Sequence, residues 1–221
     1  MREQVTSQVN LWIRRLFMLL IGIAVTEFGS QLFVALHVGA DPFMILVQGI
    51  SRQTGFSYGQ SSTLLMLICL AIIFFVDRRR IYAGTVFCIF CLGPLVDFYA
   101  FLFSQIIPQQ RSLWLTALLV ATGCIIVSIG MGISVRSEAG ACSNDLIPVI
   151  AHEKFPVLQL RWCRMLFDGL CIFGGFFLGG TLGIGTVIAL TLYGPGLQFF
   201  LPVAGKIAAW LHLPSSLLDE M

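Results

Sequence analysis

Residues 183–196 read G-I-G-T-V-I-A-L-T-L-Y-G-P-G, an apolar stretch that carries four glycines and one proline. Residues 83–95 repeat its pattern as A-G-T-V-F-C-I-F-C-L-G-P-L. In both stretches the Gly-Pro step begins nine positions after the Gly-Thr step. Glycine weakens a helix and proline removes a backbone donor, so a plain membrane-spanning helix needs neither. The recurrence therefore indicates a duplicated sequence with a special role for two of its helices.

The chain as a whole is far more apolar than a soluble domain. Of its 221 residues 57% are hydrophobic and only 11% are charged, and the mean hydropathy is +0.92. These values exclude a soluble enzyme and predict a polytopic membrane protein in contact with the lipid bilayer. The first apolar run, from Leu11 to about Leu36, is too long for a signal peptide and predicts a retained span. The net charge of +2 gives no indication of a nucleic-acid partner.

The two stretches are in register at an offset of 101 residues (185 − 84), and this offset holds along the chain. Eight glycines lie from position 22 to position 93, and five of them fall on glycines of the second half. With 22 glycines in 221 residues, chance predicts about one such match. An ungapped match of this extent indicates an internal duplication. The matched residues are Gly22 and Gly123, Gly29 and Gly130, Gly39 and Gly140, Gly84 and Gly185, Gly93 and Gly194, Pro94 and Pro195, and Phe98 and Phe199.

Apolar segments of spanning length predict six transmembrane helices in a single membrane domain, residues 1–221. Two shorter segments are of a length typical of re-entrant or interfacial helices. Each repeat, about 12–107 and about 113–203, then has three spans and one short helix, and 204–221 form a short tail. Three crossings are an odd number, so the second copy is predicted to be inverted. The predicted spans are 12–36, 58–77, 82–107, 113–135, 159–178 and 182–203, with short helices near 41–53 and 143–154.

Basic residues provide an independent prediction of the topology, because Lys and Arg accumulate on the cytoplasmic side. With both termini cytoplasmic, eleven of the thirteen basic residues fall on or near the inner face, and only Arg52 and Arg111 fall outside. This distribution favours six spans in a bacterial cytoplasmic membrane. The eleven are Arg2, Arg14, Arg15, Arg78, Arg79, Arg80, Arg136, Lys154, Arg161, Arg164 and Lys206.

The Gly-Pro steps, Gly93-Pro94 and Gly194-Pro195, lie about ten residues into their spans, near the middle of the membrane. Proline leaves a carbonyl one turn earlier without its helical partner, so both helices are predicted to be interrupted there. Inverted repeats whose interrupted helices meet at the midplane are typical of secondary transporters. These four residues are therefore candidates for a solute-binding site. The alternative is that the glycines allow close packing and the prolines only bend the helices.

Several motifs resemble the YczE/YyaS-like bacterial membrane proteins, which are distant neighbours of the YitT group. The resemblance covers about residues 15–202 and rests on Gly39-Ala40-Asp41-Pro42, on Gly140 with Asp145, on the R-x-x-x-D spacing of Arg164 and Asp168, and on the G-G-T-L-G-I-G-T run at 179–186. The chain has Cys142-Ser143 where the family commonly has a proline. The resemblance implies a helical membrane architecture and a bacterial setting, and it names no substrate.

Glu27 is predicted to lie deep in the first span. It stands about twelve residues past Arg15, which at about 1.5 Å per residue places it about 18 Å into the membrane, beside Ser30 and Gln31. Ionisable groups in spans cost free energy and usually face an interior or a cavity. Two interpretations stay open: a proton or cation site, or a neutral glutamate whose hydrogen bonds hold helices together.

Four further charged residues in or near spans are candidates for solute binding. Asp97 has the polar Gln198 at the equivalent position of the second repeat. Asp145, Arg164 and Asp168 are predicted to gather near the inner face, where Arg164 and Asp168 lie one helical turn apart and are able to pair. An ion pair at the end of a span is the alternative interpretation of these two residues.

Neither a metal nor a cofactor is expected. The seven cysteines are scattered through apolar runs and are expected to be reduced, and the three histidines are far apart in the sequence. Cys88 and Cys91 have the spacing of a metal pair, yet they lie within a span without a second pair. The sequence shows no nucleophile with a neighbouring base and no phosphate-binding loop, so an enzyme is not predicted.

Two classes of function remain. The first is a secondary transporter that moves a small polar solute by alternating access between the repeats, because this is what such symmetry usually serves. The second is a non-transporting membrane component, either a solute-binding subunit of a larger importer or an assembly factor for a cytoplasmic enzyme. The substrate, coupling ion and oligomeric state stay open, a homodimer among the options.

Overall fold

A computed structural model describes residues 2–107, 112–155, 157, 159–211 and 213, with side chains from residue 8 onward. The described residues fold into eight α-helices, and Arg78–Arg80 add one turn of 3-10 helix after the third. No strand occurs among the described residues. The helices are α1 (Arg2–Leu36), α2 (Pro42–Thr54), α3 (Tyr58–Asp77), α4 (Ala83–Ile106), α5 (Leu113–Arg136), α6 (Ser143–Lys154), α7 (Leu160–Phe177) and α8 (Ile184–Trp210).

The all-α prediction is confirmed, and each predicted span or short segment forms a helix close to its predicted limits. Helix α1 begins ten residues earlier than the predicted span, and α8 continues past Pro202 to Trp210. Five helices, α1, α3, α4, α5 and α8, are long and apolar enough to cross a membrane. The sixth predicted span, α7, has only 18 residues and carries Arg161, Arg164 and Asp168, so it does not qualify on length and composition alone.

Large apolar side chains cover the outside of the helix bundle. Phe75 is 86% exposed, Trp114 87% and Phe199 75%. A soluble monomer rarely exposes contiguous apolar surface on this scale, because water excludes it. In a bilayer the same side chains meet lipid tails, so the chain is an integral membrane protein.

The centre of the bundle is the crossing of α1 and α5, where glycines bring the two backbones together. A Cβ atom added to Gly29 would lie 2.9 Å from the Gly123 carbonyl oxygen, and one added to Gly130 would lie 2.9 Å from that of Gly22. The pairs run in opposite directions along the two helices, so α1 and α5 are antiparallel. Small residues at such a crossing allow the close packing that stabilises helix pairs in membranes.

The segments that follow α1 and α5 have matching backbone conformations. His37 (φ 54°) and Glu138 (φ 50°) are left-handed, and Gly39 (φ 120°) and Gly140 (φ 129°) adopt values that favour glycine. Both pairs are 101 residues apart, as the sequence register predicts for equivalent positions.

Each of these two segments docks on the first turn of a helix from the other half of the chain. The Gly84 amide of α4 donates to the Ala139 carbonyl (3.2 Å), and the Gly185 amide of α8 donates to the Val38 carbonyl (2.7 Å). The donors are 101 residues apart, and so are the acceptors. Donor and acceptor positions thus match between the two halves.

The two short helices each bury one face against longer helices. In α2 the Asp41 carboxylate caps the first turn by accepting from the Met44 amide (3.0 Å), and Pro42 fills the first helical position. Farther along, Gly49 packs on Gly175 of α7. Helix α6 buries Ser143, whose hydroxyl donates to a carbonyl of α3 (3.0 Å).

The predicted interruption at the two Gly-Pro steps is wrong. Helices α4 and α8 continue without a break through Pro94 and Pro195. Both prolines are exposed. At an exposed position a helix can accommodate the lost hydrogen bond by local adjustment instead of unwinding.

One end of the bundle gathers the basic residues. Ion pairs and hydrogen bonds there involve Arg14 and Arg15 of α1 and the C-terminal ends of α3, α5, α6 and α8. They join Arg15 to Glu138 (3.1 Å), Arg80 to Glu153, and Arg14 to the Leu211 carbonyl (3.4 Å).

At the opposite end, Arg52 donates to the Gly179 carbonyl and to the Thr181 hydroxyl (3.3 Å), and Gln53 donates to the Leu178 carbonyl (3.2 Å). This end includes the turn that precedes α8, whereas Leu211 follows α8, so Arg52 is separated from Arg14, Arg15 and Arg80 by the length of that helix. Arg111, the Arg2 side chain and the tail beyond Leu213 lie outside the described residues.

Candidate functional site

The polar candidates fall into three separate groups: an α1 face around Glu27, a contact between α3 and α4 around Asp97, and an ion-pair cluster around Arg164. Glu27 is 9% exposed, and its Oε2 atom is buried without a hydrogen-bond partner. Ser30, nearly one turn further along, donates to the Asp41 carboxylate (2.7 Å). The carboxylate of Asp41 also lies within electrostatic range of Glu27. Two carboxylates thus lie near the junction of α1 and α2.

Asp97 lies in the contact that we call the α3–α4 seam, formed by Gly59, Thr63, Gly93 and Asp97. The Asp97 carboxylate accepts from the Ser57 hydroxyl (2.6 Å) and from the Gly59 amide (2.7 Å). Ser57 itself caps α3 together with Gln60. Asp97 therefore joins the middle of α4 to the first turn of α3, where an anion also complements the helix dipole.

Gly93 belongs to the same seam, because a Cβ atom there would overlap the Thr63 hydroxyl and lie 2.9 Å from the Gly59 carbonyl oxygen. Its counterpart Gly194 in α8 is different. A Cβ atom built on Gly194 meets no other atom within 4 Å. Leu160 and Arg164 occupy the positions equivalent to Gly59 and Thr63, and their side chains are about half-exposed.

The equivalent helix pairs therefore differ. Helix α3 packs along α4, whereas α7 and α8, both fully described, share no comparable contact. We call the gap between Leu160, Arg164, Gly194 and Gln198 the α7–α8 opening. Gly194, Pro195 and Gln198 are exposed beside it.

Arg164 sits between two carboxylates, as the sequence predicts. Its Nη1 atom lies 2.8 Å from Asp145 Oδ1 of α6, and its Nε atom lies 3.4 Å from Asp168 Oδ2, one turn along α7. The side chains of Arg164 and Asp145 are 43% and 40% exposed, and that of Asp168 is 17% exposed. The cluster is thus open on one side and carries one negative charge in excess.

We expect Arg164→Ala to destabilise the protein more than the double variant Arg164→Ala/Asp168→Ala. The single change leaves the largely buried Asp168 without its partner, whereas the double change removes both charges. Because the cluster is partly exposed, the expected loss for the single variant is about 1–2 kcal/mol, between the values for exposed and fully buried pairs. Melting temperatures of purified variants measure this order, and equal losses in the two would show that Asp168 does not depend on Arg164.

The described residues bring no three His, Cys, Asp or Glu side chains together as metal ligands. All seven cysteines are free. The expectation of a protein without metal, cofactor or enzymatic activity stays a prediction.

The sequence interpretation missed Asp41 as a candidate, although the Asp41-Pro42 step is a recognisable helix start. Its contact with Ser30 brings together residues eleven positions apart and depends on how the chain turns after α1. Tyr193 was missed as well. Its hydroxyl oxygen is buried without a hydrogen-bond partner, and it lies within electrostatic range of Asp41 and Glu27.

Comparison with known protein families identifies the family to which the chain belongs. A model of the family of unknown function DUF6198 matches residues 13–202, which is most of the chain. The chain belongs to the DUF6198 family. The expected resemblance to YczE and YyaS is thereby confirmed.

Relatives of the chain include an uncharacterized protein of Haemophilus influenzae, 25% identical over 94% of this chain and 93% of its own length. The uncharacterized membrane protein YczE of Bacillus subtilis is 22% identical, over 91% of this chain and 89% of its own. The uncharacterized protein YyaS of the same organism is 24% identical, over 84% and 92%. No solved structure matches the chain significantly.

Proposed function

We propose that this DUF6198 protein is a secondary transporter that moves a small polar solute across the bacterial cytoplasmic membrane. In this proposal α1–α4 and α5–α8 are inverted-topology repeats that alternate between two arrangements. The antiparallel α1–α5 crossing supports inversion, because a two-fold axis in the membrane plane relates antiparallel helices. The matched hydrogen bonds of Gly84 and Gly185 support equivalence of the two halves.

The observation that carries the proposal is the difference between the α3–α4 seam and the α7–α8 opening. Equivalent residues meet in the first and stand apart in the second. Alternating access requires such a difference, because one side of the central site must be closed while the other is open. In the second state the seam and the opening exchange their roles.

The orientation follows from the basic end of the bundle. With Arg14, Arg15 and Arg80 in the cytoplasm, both termini are cytoplasmic as well. Asp97 then lies in the outer half of α4, and Gly194 and Gln198 lie close to the middle of α8. A closed α3–α4 seam and an α7–α8 opening correspond in this orientation to an inward-open state, with Asp145, Arg164 and Asp168 accessible from the cytoplasm.

The proposal is tested by introducing cysteines at Leu160 and Gly194 in a variant without the seven native cysteines. The equivalent residues Gly59 and Gly93 are in direct contact, so Leu160 and Gly194 are expected to meet when the α7–α8 opening closes. An oxidant should then form a disulfide between them and lock the protein. In liposomes, uptake from a panel of labelled amino acids, sulfur compounds and vitamins should stop on oxidation and resume on reduction.

The single-cysteine variants at Leu160 and at Gly194 are the controls, because they undergo the same oxidation without cross-linking. A protein that never forms the disulfide would contradict alternating access. So would a cross-linked protein whose uptake continues unchanged.

A further inference from the structure

One face of α1 carries buried polar side chains, and the surrounding helices do not provide hydrogen-bond partners for all of their atoms. Glu27, Ser30 and Gln31 lie three and four positions apart, so they share a face of the helix. They are 9%, 5% and 1% exposed. Ser30 has a partner in Asp41, but the other two side chains keep buried oxygen atoms without one.

The oxygens without a partner are Glu27 Oε2 and Gln31 Oε1. Both are acceptor atoms, and neither lies in hydrogen-bond geometry with a donor among the described residues, although the Gln31 side chain is close enough to Glu27 to act on its carboxylate. The Gln31 amide nitrogen points instead to the Met44 sulfur at 3.9 Å, a weak contact. A buried acceptor without a donor destabilises the folded protein, so two neighbouring ones indicate a place where a ligand brings donors.

The charge around these acceptors is negative. Asp41 is the charged group that acts on Glu27, and it too is a carboxylate. No described arginine or lysine forms an ion pair with Glu27 or Asp41, and Arg164 is engaged by Asp145 and Asp168. An anionic ligand would meet repulsion here, whereas a cation would offset the two carboxylates.

Aromatic rings complete the surroundings. Tyr99 and Tyr193 both lie within electrostatic range of Glu27. Tyr193 meets Phe33 edge to face (ring centroids 6.2 Å apart), and Tyr99 meets Phe28 in the same way (5.5 Å). The negative face of an aromatic ring attracts a cation. The attraction suits organic cations in particular, because they are weakly hydrated and easily leave water. The described residues bring no three His, Cys, Asp or Glu side chains together here as ligands for a metal ion.

We propose that the α1 face formed by Glu27, Ser30 and Gln31, with Asp41 beside it and Tyr193 nearby, binds a small organic cation with N–H donors, either a primary ammonium or a guanidinium ion. The ligand donates to Glu27 Oε2 and Gln31 Oε1, and the carboxylates of Glu27 and Asp41 balance its charge. The role of the site rests on the proposed transport function, because the bound cation would be the transported solute. Binding itself does not depend on transport.

The test measures binding by the purified full-length protein in detergent, with isothermal titration calorimetry. The probes are the chloride salts of methylammonium, ethanolamine, guanidinium and agmatine, with sodium chloride and ethylene glycol as comparisons. We expect at least one N–H cation to bind, and neither sodium nor the neutral diol. Glu27→Gln keeps the shape of the side chain and removes its charge, so it should weaken binding at least tenfold.

Two further variants keep the test decisive if Glu27→Gln folds poorly. Gln31→Glu adds a carboxylate to the same face and should tighten binding of the cation. Glu153→Gln, which removes a carboxylate paired with Arg80 at the basic end, is the matched control and should bind as the wild type does. The proposal is overturned if no N–H cation binds, if sodium binds equally well, or if Glu27→Gln and Gln31→Glu leave the affinity unchanged.

The result of the cation-binding test can be distinguished from the result of the cross-linking test of transport. Cation binding without closure at Leu160 and Gly194 would identify a cation-binding protein that does not alternate. Closure with uptake of an anionic or neutral solute, and no cation binding, would support the transporter and refute the proposed solute class.

Discussion

Replacing Gly22 with alanine will lower the stability of the folded protein by about 2 kcal/mol, although alanine is the better helix former. The added methyl group would lie 2.6 Å from the Ser134 amide nitrogen and 2.9 Å from its Cα atom. Both are backbone atoms of α5, so no side-chain rotation relieves the overlap and the two helices must move apart. Gly22→Leu should prevent formation of the α1–α5 crossing altogether.

Gly169 supplies the matched control for this prediction. It lies in α7, and a Cβ atom there meets no atom within 4 Å, so Gly169→Ala should be neutral or slightly stabilising. Melting temperature and the folded fraction after size-exclusion chromatography measure both variants. Equal behaviour of Gly22→Ala and Gly169→Ala would show that the α1–α5 crossing tolerates a wider separation than its geometry indicates.

The second large effect is expected at Asp97. Asp97→Ala removes the acceptor of two short hydrogen bonds, from the Ser57 hydroxyl and the Gly59 amide, and it removes the negative charge at the start of α3. Hydrogen bonds to charged groups contribute about 1.5–3 kcal/mol each, so a loss of about 2–4 kcal/mol is expected in this partly exposed position. The α3–α4 seam should open as a result.

Two measurements separate this structural role from the solute-binding role that the sequence predicts. Melting temperature should fall in Asp97→Ala, and a cysteine introduced at Thr63 should be alkylated faster. Asp77→Asn is the control, because Asp77 caps one exposed turn through the Arg79 amide (3.2 Å) and makes a long, exposed ion-pair contact with Arg80 (3.9 Å). If Asp97→Ala melts like the wild type but no longer binds solute, Asp97 contacts the solute and does not hold α3 and α4 together.

Local signals explain why the sequence predicts the helices so well. Long apolar runs fix the spans, and short-range motifs fix their starts: Ser57 with Gln60 forms a capping box, and Asp41-Pro42 begins α2. The 101-residue register also identifies equivalent backbone positions. It pairs His37 with Glu138, and the fold gives both residues a positive φ.

Contacts between distant residues explain most of what the sequence does not predict. The partners of Asp97 lie 38 and 40 residues away, and nothing local indicates that its carboxylate reaches the first turn of α3. The continuity of α4 through Pro94 depends on which face of the helix meets lipid, which the Gly-Pro step alone does not specify.

The α7–α8 opening did leave a signal in the sequence. The seam needs small residues on both helices, and the second half keeps Gly194 but has Leu160 in place of a glycine. A comparison of the repeats by side-chain size, in addition to identity, would have revealed it.

The reciprocal contact between α1 and α5 resembles a contact between two subunits. Gly29 of α1 meets Gly123, the counterpart of Gly22, and Gly130, the counterpart of Gly29, meets Gly22. Two identical half-length polypeptides inserted in opposite directions would form the same contacts with each other. Under the proposed inverted-repeat arrangement, the single chain therefore makes internally the contacts that a homodimer of half-length chains in opposite orientations would make between its subunits.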